Sequence, residues 1–109
     1  MEFKKYQEES RKTVIHKDWE QALSYFTLGL NGEAGEVAEK VKKILRDDQG
    51  SISLEKKKEI EKELGDVLWY LTQITTELNL DLNQLAEKNL EKLFSRMERN
   101  KLSGSGDNR

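Results

Sequence analysis

With 109 residues, nineteen basic and twenty-one acidic side chains and a formal net charge of -2, the chain has room for one domain. A chain this short buries only about two thirds of its unfolded surface, so a thin core or an oligomer is expected. The interspersed charges disfavour duplex nucleic-acid binding, zero cysteines remove disulfides and thiolate metal sites, and no apolar run reaches the length of a signal h-region or a membrane span, so a cytoplasmic protein is expected.

Charged residues at 37%, hydrophobic ones at 35% and no proline suit charged-surfaced helices rather than strands. Disorder, the competing reading of so polar a chain, is opposed by apolar residues recurring at helical spacing. The first helix is predicted over about residues 3–15, where Phe3, Tyr6, Ser10, Thr13 and Val14 trace a weak stripe. His16, the only histidine, reads as a surface residue near a helix end rather than a catalytic base. The second helix is predicted over about residues 18–45, with Leu23, Phe26, Leu30, Val37, Val41 and Ile44 spaced as a buried face. Residues 46–53 carry turn chemistry, and Ser51 or Ser53 can cap a third helix over about residues 54–78. Its core stripe is Ile60, Leu64, Val67, Leu71, Ile74 and Leu78. Trp69 points almost opposite that stripe, which fits a subunit interface better than a cofactor contact. Asn79 breaks the pattern, and Asp81 with Gln84 resembles a capping box opening a fourth helix through Leu82, Leu85, Leu90, Leu93 and Met97. The expected organisation is one all-α, four-helix bundle-like domain over residues 1–102, oligomeric, with a flexible tail at 103–109.

On the second helix Glu33 and Glu36 are three residues apart, so their side chains project only about 60° from each other and can grip one ion together. Glu33 stands at the edge of the apolar stripe, between Leu30 and Val37, where a carboxylate is expensive unless a cation meets it. The third helix repeats the pattern with Glu63 and Asp66. Across an antiparallel hairpin the two pairs would face one another, and divalent cations would remove the resulting repulsion. Carboxylate-only ligation selects hard ions, with magnesium the usual partner when a phosphate supplies further oxygens. A single Glu-x-x-Glu would most simply be a solvated face, as Glu39, Glu55, Glu59, Glu61, Glu87 and Glu91 are; two pairs at core edges favour a metal site. Gly29, Gly32, Gly35 and Gly65 accompany the pairs. Each costs about 1 kcal/mol relative to alanine inside a helix, which close helix packing explains better than ligand access to the backbone. Lys40, Lys42, Lys43 and Arg46 can attract a polyanion, although a solvated helix end is the simpler account.

Gly32-Glu33-Ala34-Gly35-Glu36-Val37-Ala38-Glu39, and Glu63-Leu64-Gly65-Asp66-Val67-Leu68-Trp69-Tyr70-Leu71 after twenty-six intervening residues from Glu36, resemble the signature of the MazG-like nucleotide pyrophosphohydrolases over about residues 20–97. The resemblance implies magnesium, with manganese as a substitute, held by Glu33, Glu36, Glu63 and Asp66, one glutamate also orienting the attacking water. It implies a nucleoside triphosphate cut between its α and β phosphates, Tyr70 on the nucleotide pocket, and Asn89, Lys92 and Arg96 contacting phosphates or nucleotide. It further implies nucleotide-pool clearance and a homo-oligomer, either a dimer or a tetramer built from dimers. Lys43 stands where some relatives carry a base-stacking aromatic, and the Gly104-Ser105-Gly106-Asp107-Asn108-Arg109 ending resembles a short bacterial branch. A di-iron bundle would want Glu-x-x-His pairs, and a calcium loop from Asp47 would meet Lys58 at its twelfth position. The remaining alternative is a non-catalytic helical interaction or oligomerisation module.

Overall fold

The computed structural model describes residues 1–15 and 18–109, so His16 lies outside the described residues. Among them the fold is all-α, with four helices and no strand: α1 (Phe3–Arg11), α2 (Ala22–Asp47), α3 (Leu54–Glu77) and α4 (Leu82–Glu98). No helix among them is long and apolar enough to cross a membrane.

Local chemistry sets the helix ends. The Ser53 hydroxyl accepts from the Lys56 amide at 3.2 Å and opens α3, and the Asp81 carboxylate accepts from the Gln84 amide at 2.9 Å and opens α4. Asn79 takes a left-handed conformation (φ 57°) that stops α3. Helix α1 is shorter than its periodicity predicts. After Arg11 the amides of Thr13 and Val14 bond to Ser10 and Arg11, three residues back, and the Thr13 hydroxyl also bonds the Ser10 carbonyl, a local competitor to helix continuation at a β-branched run. Helix α2 starts late as well, because the Ala22 amide closes a turn onto the Trp19 carbonyl.

Helices α2 and α3 form an antiparallel hairpin that is the body of the molecule, with α1 against α3 and α4 and with α4 touching α1 and α3 but not α2. Phe26, Ala22 and Val14 are buried, with Trp69, Tyr70 and Ile74 packed on them. Trp69, expected to face outward, instead lies half-buried across the Phe26 ring at 5.7 Å and donates through Nε1 to the Thr13 hydroxyl at 2.8 Å. The α1–α3 contact is polar. Buried Gln73 donates to the Ser10 hydroxyl at 3.0 Å and accepts from Arg11 at 3.3 Å, while Arg11 also pairs with Glu77.

Much of the predicted apolar stripe is uncovered: Leu23, Val41, Leu64, Leu78, Leu85, Leu90, Leu93 and Met97 are exposed. The cause is architectural, since among the described residues α4 meets α3 and α1 but does not reach α2 to close a complete bundle. The radius of gyration is 16.9 Å, against about 13 Å for a compact domain of this length. The 12.7 kDa chain exposes 8374 Å², whereas a compact monomer of that mass exposes about 6,200 Å².

Residues 103–109 contain no helix but fold back on α4. The Arg109 guanidinium bonds the carbonyls of Lys101, Leu102 and Gly106, and the Asp107 carboxylate meets Lys92 at 3.0 Å and Arg96 at 3.2 Å. Gly104 (φ 111°) and Gly106 (φ 89°) permit the turn.

Candidate functional site

One face of α2 carries Phe26, Gly29, Glu33, Glu36, Lys40 and Lys43 at spacings of three and four, and one face of α3 carries Lys56, Glu59, Glu63, Asp66 and Tyr70. The antiparallel register sets these faces together. Carboxylate oxygens of Glu33, Glu63 and Asp66 lie within 4.8 Å of one another, Glu33 and Glu63 half-buried and Asp66 exposed. Glu36, one turn from Glu33 and exposed, is not among these three; its charge acts on Glu33 from the side.

The electrostatics match a site built for a cation. The Glu33 carboxyl is held above the usual carboxylate range, first by a hydrogen bond to Glu63, then by desolvation and by the charges of Asp66, Glu63 and Glu36. A cation placed among the three would relieve the repulsion that raises Glu33. An all-oxygen donor set on two rigid helices fits a hard divalent ion rather than a soft one. Lys40 also approaches, with its Nζ 3.9 Å from Glu63 Oε1.

Tyr70 lies against the backbone of α2. A Cβ at Gly29 would fall 2.1 Å from Tyr70 Cε1, so the close-packing account of the glycines holds here. It does not extend to Gly32, Gly35 and Gly65, where an added Cβ would meet nothing within 4 Å. The Tyr70 hydroxyl is pushed above its ordinary pKa by burial, by its hydrogen bond with Tyr25, and by the charges of Tyr25, Glu33 and Asp66. Tyr6 on α1 is raised too, by burial and then by Asp66, which brings α1 to the edge of the acidic group.

Sequence patterning placed Tyr6 only in the apolar stripe of the first helix and did not single out Trp19 or Tyr25. Tyr25 packs at tilted or edge-on angles against Trp19 at 5.5 Å, Phe26 at 5.7 Å and Tyr70 at 6.4 Å. Beside them a cavity of about 240 Å³ is lined by Thr13, Val14, Ile15, Trp19, Tyr25, Phe26 and Trp69. The signal available was Tyr25, two turns before Glu33, paired with Tyr70, one turn after Asp66; only the hairpin register joins them.

The α4 residues stand apart from this group. Asn89 is exposed, Lys92 is half-buried and bonded to Asp107, and Arg96 is buried beneath its contacts with the Asp107 carboxylate and carbonyl. Since α4 does not touch α2, a single chain does not bring these three to the face of α2 that carries Glu33 and Glu36.

A family model described as the MazG nucleotide pyrophosphohydrolase domain matches residues 21–100. The chain is also 52% identical over 89 residues to the Gene 37 protein of Mycobacterium phage L5, covering 82% of this chain and 78% of that protein, whose name states no activity. No solved structure matches.

Proposed function

Because the chain belongs to the MazG nucleotide pyrophosphohydrolase domain family, we propose that it is a magnesium-dependent nucleoside triphosphate pyrophosphohydrolase, releasing a nucleoside monophosphate and pyrophosphate. The observation that carries this reading is the convergence of Glu33, Glu63 and Asp66 oxygens within 4.8 Å, one turn from Glu36. These four carboxylates would hold magnesium, or manganese in its place. When bound, the metal supplies a counter-charge for the triphosphate and a water of lowered pKa.

In the proposed reaction the water oxygen bonds to the α-phosphorus as the bond from that phosphorus to the α,β-bridging oxygen breaks, and pyrophosphate leaves with the electron pair. A glutamate of the group takes the proton of the attacking water, a role suited to Glu33, whose proton affinity its neighbours raise. Tyr70, with Tyr25 and Trp19 beside it, supplies an aromatic wall for the base. Asn89 and Lys92 would contact phosphates or nucleotide only across a subunit boundary, and Arg96 only there and once Asp107 moves off it, so the reading includes a homo-oligomer, a dimer or a tetramer of dimers. The surface in excess of a compact monomer, roughly 2,000 Å² per chain by the area scaling, is ample for such an interface. The physiological assignment is clearance of unwanted nucleotides in the cytoplasm.

The exposed apolar surface equally suits a non-catalytic interaction module, and one assay separates the two. Pyrophosphate release is measured over a panel of canonical and modified nucleoside triphosphates, with magnesium and with chelator. Metal-dependent turnover of at least one is expected; turnover of none overturns the enzyme reading. Sedimentation should find an oligomer at micromolar concentration, and a monomer throughout would remove the cross-subunit role of α4.

A further inference from the structure

The segment that follows α4 is docked on that helix by polar contacts alone. Residues 103–108 are exposed and carry no apolar side chain, so burial does not hold them there. What holds them is Asp107. Its carboxylate meets Lys92 at 3.0 Å and Arg96 at 3.2 Å, and its carbonyl accepts from Arg96 as well. The Arg96 side chain is only 5% exposed beneath these contacts, while that of Asp107 is 80% exposed. We propose that this segment is an autoinhibitory latch, in which Asp107 occupies Lys92 and Arg96 as an internal anion that a nucleoside triphosphate must displace. The inference rests on the function proposed above, which gives those two residues to the substrate, and adds a regulation to it.

The architecture of the segment is that of a closed loop with a single catch. The Arg109 guanidinium bonds the carbonyls of Lys101, Leu102 and Gly106, and Arg99 donates to the Arg109 carbonyl at 2.5 Å. Those bonds tie residues 101–109 to themselves and to the end of α4. The left-handed bends at Asn100 (φ 57°), Gly104 and Gly106 let the chain turn back. Among the described residues, every side-chain bond from α4 to this loop ends on Asp107, so the loop can lift from the helix by giving up one residue's contacts. The catch is also of the right kind to be exchanged. A carboxylate and a phosphate oxygen offer lysine and arginine the same charge-assisted hydrogen bonds, but one exposed carboxylate holds them weakly and carries less charge than a triphosphate. With the latch closed, the buried guanidinium of Arg96 is not left unpaired, which would be costly.

Inorganic tripolyphosphate with magnesium, which has the charge of a triphosphate and no base, is the probe, and titration calorimetry reads its binding without turnover. Removal of residues 103–109, or Asp107→Ala in the full chain, should tighten binding about tenfold, the factor by which a latch closed in about nine molecules of ten lowers the apparent affinity. Lys92→Ala should bind more weakly, and removing residues 103–109 from it should gain less than from the wild type, because the two changes act on one contact. Amide exchange adds a readout that a merely structural segment would not move: bound tripolyphosphate should accelerate exchange at residues 104–107 of the wild type instead of protecting them. In kinetic assays Asp107→Ala should lower KM by the same factor and leave kcat unchanged, since saturating substrate opens the latch by itself. Equal or weaker binding by both the shortened chain and Asp107→Ala, or no acceleration of exchange, overturns the latch. If tripolyphosphate releases the segment but no nucleoside triphosphate is hydrolysed, the enzyme reading fails and the latch stands. If hydrolysis is found with KM unaltered in Asp107→Ala, the latch fails and the enzyme reading stands.

Discussion

Neutralising Asp66 is expected to abolish hydrolysis and, at the same time, to stabilise the metal-free protein. The oxygens of Glu33, Glu63 and Asp66 lie within 4.8 Å of one another, and unit charges at that separation repel by about 0.9 kcal/mol in bulk water and about 3.5 kcal/mol at an effective dielectric of 20. Asp66 is exposed and its neighbours are half-buried, so solvent keeps the interaction toward the lower figure. Asp66→Asn should then gain about 1–2 kcal/mol, or about 4–10 °C in Tm for a domain of this size. The sign with pH follows from Glu33, whose pKa is raised in the folded state. A raised carboxyl holds its proton more tightly when folded, so its contribution to stability is complete below the ordinary carboxylate pKa and is lost as pH rises through the folded value. The advantage of Asp66→Asn should accordingly be small in acid and grow toward neutral pH. Magnesium should reverse the order, because it stabilises the wild type by mass action and the variant less. Thermal melts of both proteins across pH, with magnesium and with chelator, test all of this. Equal melting temperatures in every condition, or retained hydrolysis by the variant, would refute the reasoning.

Gly29→Ala should destabilise by about 1–3 kcal/mol, as overpacking does, since its Cβ would lie 2.1 Å from Tyr70 Cε1. Adding Tyr70→Ala should relieve the clash, so a thermal double-mutant cycle should show the two substitutions coupled rather than additive. Gln73→Leu takes the donor from Ser10 and the acceptor from Arg11 and should cost about 1–3 kcal/mol, with amide exchange rising first in α1. Arg96→Leu removes the side chain that grips Asp107. Amide exchange of residues 104–107 should accelerate in that variant while α2 and α3 are unaffected.

What was legible in the sequence follows the range of each interaction. The caps at Ser53 and Asp81 act within one turn, and the three-residue spacing of each acidic pair fixes its geometry before any tertiary contact forms, so both could be read directly. Burial could not. Val41, Leu64 and Leu78 have the periodicity of a core face, but whether such a face is covered depends on what the rest of the molecule lays over it, and here it is exposed. The α3 side of the α1–α3 contact was hidden for the opposite reason, because Thr72, Gln73 and Thr75 are buried polar residues that hydrophobic patterning passes over, although Ser10 opposite them was placed in the stripe. The aromatic neighbourhood of Tyr70 depends on hairpin register, a property of two helices that neither stripe reveals alone. Glu36 and Arg96 mark the same boundary. A helical wheel gives each a face, but only the fold leaves Glu36 outside the carboxylate trio and covers Arg96 with the chain that follows α4.

The contacts of Gln7 constrain the order in which the molecule assembles. Its side-chain amide donates to the Thr76 hydroxyl and the Leu80 carbonyl, both at 3.0 Å, and its carbonyl accepts from the Leu82 amide at 2.8 Å, partners 69, 73 and 75 residues away. The α2–α3 hairpin, by contrast, closes across the short connection of residues 48–53. Local closure is fast and distant closure slow, so on the ribosome the hairpin can form as soon as α3 emerges. Helix α1, made before either, meets its partners Gln73, Thr76 and Glu77 only as the end of α3 emerges, and lacks its contacts with Leu80 and Leu82 until those residues have left the exit tunnel. A chain stalled with Glu77 just outside the tunnel should therefore resist protease across α2 and α3 more than across α1, which still lacks its Leu80 and Leu82 contacts.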